Sequence, residues 1–219
     1  MGSQLKPGLT KYLEELEASQ SPVLRAMERE AEVRGFPIIG PQCGRRMAIL
    51  TMAIQGRKVF EMGSGYGYST VWFASAVGPS GEVVHTDFDP DNTARAKEYL
   101  EGAGLLDRVK FLNGDGLELL AAQDDHFDAI LIDIDKTQYP LALQVSVPKL
   151  KVGGFLFCHN VVWSGRVAED VHNPETFAIR QYNREIMTHP ELVSFIDPVH
   201  DGLSVSLKVG IDSRARIPV

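Results

Sequence analysis

Short apolar runs alternate along the chain with longer stretches of helical periodicity. Residues 58–62, 82–86, 109–113, 128–133 and 155–158 read as strands. Their nearly continuous apolar character is that of strands buried on both faces. Between them, 70–77, 90–102, 116–122 and 139–150 read as helices. Gly102 and Gly104 suit a helix stop, and Lys149 with Lys151 suits a C-terminal turn. Strand–helix alternation predicts an α/β fold built on a parallel sheet. A further helix is expected over 174–188, with Pro174 at its start. Residues 192–196 and 203–209, joined by the link 197–202, predict an antiparallel hairpin that closes the sheet. Ahead of the first strand lie three helical stretches, 9–18, 23–34 and 42–54, the first with a short stripe at Leu13 and Leu16. The whole reads as a single domain: a helical cap over 1–56, a core over 57–210 and a loosely held tail over 211–219. The cap is too small to fold apart. It is expected to cover the core, pack over a ligand site or build a dimer contact.

Composition narrows the setting. The 219 residues are 44% hydrophobic and 23% charged, an ordinary globular balance. No apolar run approaches the roughly 20 residues of a membrane helix. The start of the chain also lacks the apolar core of a signal peptide, so no membrane partner is expected. Cys43 and Cys158 imply no disulfide framework, and a cytoplasmic location is the expectation. A net charge of −7 argues against a surface that tracks nucleic-acid phosphates, so no nucleic-acid partner is expected.

The chemistry concentrates at strand ends, where open parallel sheets bind ligands. Glu61-Met62-Gly63-Ser64-Gly65-Tyr66-Gly67-Tyr68 is a strand end, a glycine turn and a helix start. A dinucleotide turn counted from Gly63 would need a small residue at position 68, where Tyr68 stands. Glu61 sets a carboxylate beside the turn. It would repel a pyrophosphate, yet it suits S-adenosylmethionine, which has no phosphate and carries a sulfonium. Asp87 ends the second strand 20 residues after Gly67, the interval of a ribose-binding carboxylate. The other reading of Asp87 is a surface turn ahead of the Asp89-Pro90 helix start. Asp133, His159 and Asn160 end neighbouring strands. A carboxylate, an imidazole and an amide oxygen suit a divalent ion. Lys136 reaches the same cleft as a candidate base. This set fits methyl transfer to a hydroxyl, with the proton removed and the oxyanion stabilised. Blander readings stand beside it. Lys136 is then a surface lysine, His159 a satisfied buried histidine, Asp135 a helix cap, and Asp115 a cap rather than an adenine contact. Trp163 is either packing or a substrate wall. Both cysteines are packing residues, and Arg45 and Arg46 are surface arginines.

In order and spacing, residues 60–70, 132–139, 151–154, 160–165, 179–183 and 201–203 resemble one family. It is the class I S-adenosylmethionine-dependent O-methyltransferases of the caffeoyl-CoA and catechol type, small bacterial members in particular. The resemblance runs from about residue 38 to 209. It implies a Rossmann-like methyltransferase fold, with a seven-stranded, mostly parallel sheet, an antiparallel last strand and helices on both faces. It implies a homodimer, and methyl transfer to a hydroxyl of a small, catechol-like acceptor. By motif match, Glu61, Gly63, Ser69 and Asp87 would hold the cofactor, together with Ser64, Gly65 and Asp133. The backbone near Ile39 and the side chain of Asp115 would complete that pocket. Asp133 and Asn160 match metal ligands, and Lys136 matches the lysine beside the substrate hydroxyl. One position departs. The family has Asp-Asn where this chain has His159-Asn160. A softer metal, metal-free catalysis with Lys136 or His159 as base, or cofactor binding without efficient catalysis all follow from that change. The expectation is an active enzyme with an altered metal preference. The alternative is a non-catalytic S-adenosylmethionine-binding protein on the same fold. Tyr68 and Glu61 disfavour a dinucleotide oxidoreductase, and the acidic balance disfavours a nucleic-acid methyltransferase.

Overall fold

The structure, a computed structural model, describes residues 7–18 and 21–210. The tail over 211–219 lies outside them. Seven strands form one sheet: β1 (Lys58–Met62), β2 (Glu82–Asp87), β3 (Val109–Asn113), β4 (Phe127–Ile132), β5 (Leu150–His159), β6 (Leu192–Asp197) and β7 (Leu203–Lys208). Their order is β3-β2-β1-β4-β5-β7-β6. β1 to β5 run parallel, and β7 runs antiparallel to both β5 and β6. This is the seven-stranded, mostly parallel arrangement that the resemblance implied.

Helices cover both faces, so the central strands are mostly apolar. On one face lie α2 (Pro22–Arg34), α3 (Gly40–Ala53), α4 (Tyr68–Ala76) and α5 (Pro90–Gly102). They bury Met27, Met47, Phe73 and Leu100 against Val59, Leu131 and Phe157 of the sheet. On the other face, α6 (Gly116–Ala121), α7 (Tyr139–Lys149) and α8 (Pro174–Thr188) enclose Phe60, Ile130, Ile132, Tyr139, Leu156 and Tyr182. The first helix, α1 (Pro7–Glu17), lies against α3.

Among the element boundaries that differ from the sequence pattern, those of β5 and α4 have local reasons. Pro148 sits in the last turn of α7, and the chain is already extended at Leu150. β5 therefore begins five residues before the apolar run at Phe155. Its pairing with β4 slips there, Phe127 facing Leu150 while Ala129 faces Phe155. α4 starts at Tyr68, because Gly67 is left-handed (φ 90°) and turns the chain directly into the helix.

The strand order reverses between β1 and β4, which leave the centre of the sheet in opposite directions. A crevice opens at such a switch point, beyond the carboxyl ends of the strands. Because β7 is antiparallel to β5, His159 pairs with Leu203. The link between β6 and β7 thus reaches the same edge.

Candidate active site

A cavity of about 870 Å³ fills the crevice. Its floor is the glycine turn. Gly63 is left-handed (φ 79°), and a β-carbon there would land on the Asp133 carbonyl. Only glycine lets β1 and β4 end this close together. Ser64 N–H donates to the Thr86 carbonyl (2.8 Å), and Gly65 N–H donates to Asp87 Oδ2 (2.9 Å). Asp87 Oδ1 accepts from Asp89 N–H (2.9 Å) and Asn92 Nδ2 (3.2 Å). Asp87 therefore builds the turn and lines the cavity as well. Ile39, Ser64, Gly65 and Ser69 line it too.

Glu61 lies under this floor and is fully buried. Its Oε2 accepts from Thr70 Oγ1 (2.6 Å), and its Oε1 has no hydrogen-bond partner among the described residues. Burial pushes its carboxyl up to about 7, against the pull of the Ser69, Thr70 and Ser64 hydroxyls. Thr70 spends its proton on Glu61, so its oxygen accepts from His85 Nδ1 (3.1 Å). Burial drives that imidazole down to about 3, so it stays neutral. Asp115 does not reach the cavity wall. Its Oδ1 caps α6 by accepting from Leu117 N–H (2.8 Å) and Glu118 N–H (3.2 Å).

The other wall joins four of the predicted residues. Lys136 Nζ stands 3.4 Å from Asp133 Oδ1 and 3.2 Å from the Ile134 carbonyl. His159 Nδ1 is 3.7 Å from the same Asp133 oxygen. Burial raises the Asp133 carboxyl, but His159 and Lys136 outweigh it and hold the group below the usual carboxylate range. Asn160 is left-handed (φ 58°), and its Nδ2 donates to Asp201 Oδ2 (2.7 Å). Asp135 caps the turn that follows by accepting from Thr137 N–H (2.8 Å).

His200 is a residue the sequence reading missed. Its Nδ1 lies 3.1 Å from His159 Nε2, and it lines the cavity. Asp201, which fixes Asn160 and the Ser164 N–H, was missed as well. The signal was the predicted hairpin, whose link carries both residues. Which end of the sheet that link occupies depends on strand order, and periodicity along one strand does not record it.

A second cavity of about 500 Å³ adjoins the first through Ile134, Asp135 and Lys136. Trp163, Arg166, Asn173 and Glu175 complete its lining. Lys136 Nζ lies 6.0 Å from the Trp163 ring, and the Arg166 guanidinium lies 5.4 Å from it. Trp163 is thus a wall of the region beside Lys136. Arg45 and Arg46 are structural. Arg45 donates to the Glu17 carbonyl (3.2 Å), and Arg46 bridges Glu17 and Asp197. Cys43 and Cys158 are buried, and burial pushes the Cys43 thiol up to about 12.

The glycine turn, the carboxylate at the end of β2 and the lysine–aspartate pair at the end of β4 line one cavity, as the resemblance to methyltransferases leads one to expect. Comparison with known proteins agrees. The family model described as O-methyltransferase matches residues 14–209, and the chain belongs to that family. The catechol O-methyltransferase of Mycobacterium tuberculosis is 28% identical over 189 residues, 85% of this chain and 86% of that protein. A methyltransferase structure from Geobacter sulfurreducens superposes with a TM-score of 0.81 at 28% identity, covering 96% of this chain and 100% of that one. The cofactor-bound Rv0187 structure from MTB superposes with a TM-score of 0.83 at 26% identity, covering 94% and 99%. Among the described residues, no helix is long and apolar enough to cross a membrane.

Proposed function

We propose that the protein transfers the methyl group of S-adenosylmethionine to a hydroxyl of a small, catechol-like aromatic acceptor. The observation that carries this reading is the place of Lys136, at the joint between a glycine-floored cavity and one walled by Trp163. The cofactor would lie over residues 63–65, with its ribose at Asp87 and its reactive end toward Asp133. An aromatic acceptor would stack near Trp163 with its hydroxyl at Lys136. The reaction is an in-line displacement, and holding the two partners together supplies much of the rate. The Lys136 ammonium, already oriented by Asp133 and the Ile134 carbonyl, stabilises negative charge growing on the attacking oxygen.

The residues present do not fit a hard divalent cation. Of the three positions matched to such a site, only Asp133 is a carboxylate, and Lys136 and His159 already share its Oδ1. Asn160 donates its Nδ2 to Asp201 and has only a neutral amide oxygen to add. Among the described residues, no three His, Cys, Asp or Glu side chains converge on a metal position.

The test is methyl transfer from labelled S-adenosylmethionine to a panel of vicinal-dihydroxy aromatics, on metal-stripped protein with single ions restored. Lys136→Ala is expected to lower turnover roughly 10²-fold or more while cofactor binding persists. Unchanged turnover would remove the lysine from the mechanism. Cofactor binding without transfer to any acceptor would favour the non-catalytic alternative, which the replacement at His159 motivates. A homodimer belongs to the same reading. Leu9, Tyr12, Leu13 and Leu16 form an exposed stripe on α1 that a second copy would cover, and sedimentation velocity tests it.

A further inference from the structure

We infer that Arg166 selects the acceptor, by pairing with a carboxylate on the aromatic ring whose hydroxyl stands at Lys136. The favoured substrates are then vicinal-dihydroxy aromatic acids. This rests on the methyl-transfer reading above and adds the acceptor's charge to it.

The first observation is the turn that presents Trp163 and Arg166 together. Trp163 (φ 53°), Ser164 (φ 53°) and Gly165 (φ 83°) are left-handed in succession. The first two are not glycine and occupy that region at a cost. The turn is held at both ends. Asp201 accepts from Ser164 N–H, and Gly165 N–H donates to the Val162 carbonyl (3.0 Å). From the other side, Arg180 of α8 gives its guanidinium to backbone. Its Nε donates to the Val167 carbonyl (3.0 Å), its Nη1 to the Val171 carbonyl (2.9 Å), and its Nη2 to the Arg166 carbonyl (3.0 Å) and to that of Glu169. The Arg166 carbonyl accepts from Glu169 N–H as well (3.2 Å). The backbone of Arg166 is thus fixed, while the residue lines the cavity beside Lys136.

The second observation is the charge left over. The Arg166 guanidinium and Lys136 Nζ lie 5.4 Å and 6.0 Å from the same Trp163 ring, and all three residues line the cavity of about 500 Å³. Lys136 has Asp133 as its partner. Arg166 pairs with no carboxylate among the described residues, although Glu175 lines the same cavity. A guanidinium stacked on an indole keeps its N–H edge for a planar partner, and a carboxylate takes two of those N–H groups at once. Asn173 adds a donor to this lining. Its Oδ1 is spent on Thr176 N–H (2.8 Å), so Nδ2 is the group it can offer. The acids of the cavity are engaged elsewhere. Asp135 accepts from Thr137 N–H (2.8 Å), and Glu175 sits in the first turn of α8, whose positive end offsets its charge. An acceptor ring lying along Trp163 would therefore meet one cation at its hydroxyl and a second, unpaired one at its acidic substituent.

Two measurements on the full chain test this. The first is calorimetric binding to the protein loaded with S-adenosylhomocysteine, comparing protocatechuate, its neutral amide and dopamine. Acid and amide share shape and both hydroxyls, so the pair isolates the carboxylate. Protocatechuate should bind roughly 10- to 100-fold more tightly than the amide, the range of a hydrogen bond to a charged group. In Arg166→Gln that ratio should fall to near one. The Arg166 side chain is exposed and the bonds that fix the turn are made by backbone, so the variant should fold. Equal binding of acid and amide, tighter binding of dopamine, or a ratio that survives in Arg166→Gln would overturn the assignment. The second measurement is methyl transfer to the same three compounds, with the ions varied as above. The preference for the acid should appear in KM, as binding shared by ground and transition states does, and should vanish in Arg166→Gln. A preference confined to kcat would overturn selection by binding. Arg166-dependent binding of protocatechuate with transfer to none of the three would defeat the functional reading instead, and the binding ratios would still judge the pairing.

Discussion

Glu61 shows what burial does to a single carboxylate. With its group raised from 4.5 to about 7, the folded chain holds a proton that the unfolded chain releases between those values. The stability this contributes is complete below the unfolded value and is lost as pH rises through about 7. Urea denaturation at pH 5 and pH 8 should therefore show the apoprotein less stable at the higher pH. In Glu61→Gln that difference should shrink, and an unaltered slope would clear Glu61 of the effect. Asp87 makes the opposite kind of claim, since its work is at the ligand. Hydrogen bonds to a charged group contribute about 1.5–3 kcal/mol, so Asp87→Ala should weaken S-adenosylmethionine binding by roughly 10- to 100-fold. Full affinity in a calorimetric titration would reject the ribose role. Glycine turn, acid at the end of β2 and lysine after β4 were all legible at this scale, because each is a local pattern at a strand end. His200 was not legible, because it meets His159 from 41 residues away.

At the scale of elements, the site depends on how helices begin. α2 opens at Ser21 and closes on the left-handed Gly35, and it buries Leu24, Met27 and Ala31 on one side. Tyr66 of the glycine turn donates to the Met27 carbonyl (2.9 Å), which ties the cavity floor to this helix. Glu30 of α2 joins α5 through Arg95 and Tyr99, and the Arg95 guanidinium holds its carboxyl down at about 2. α6 opens at Asp115, and the cap explains that residue. Asp115→Ala should lower stability by about 1 kcal/mol and leave cofactor affinity unchanged. A large loss of affinity would return Asp115 to the pocket where the motif match puts it. The element pattern followed from sequence because hydrophobic periodicity and caps are short-range. The start of β5 did not, since Leu150 joins the strand through its pairing with Phe127 of β4, ahead of the apolar run at Phe155.

At the scale of the whole molecule, the reading predicts linkage between ligand and fold. A ligand that binds the folded chain alone, at a hundred times its Kd, adds about 2.7 kcal/mol of stability. S-adenosylhomocysteine should accordingly raise the melting temperature by roughly 5–10 °C, and NAD should not. Equal shifts with both would reopen the dinucleotide reading. The sequence by itself determined the α/β class, the alternation of strands and helices, the nucleoside-type turn and the lysine–aspartate pair, because all of these are written within a few residues of one another. Tertiary structure alone decided that the β6–β7 link returns to the carboxyl edge of the sheet, that Glu61 is fully buried beneath the glycine turn, and that His159 faces a second histidine. Each of those is a contact between segments distant in the chain, set by strand order and burial.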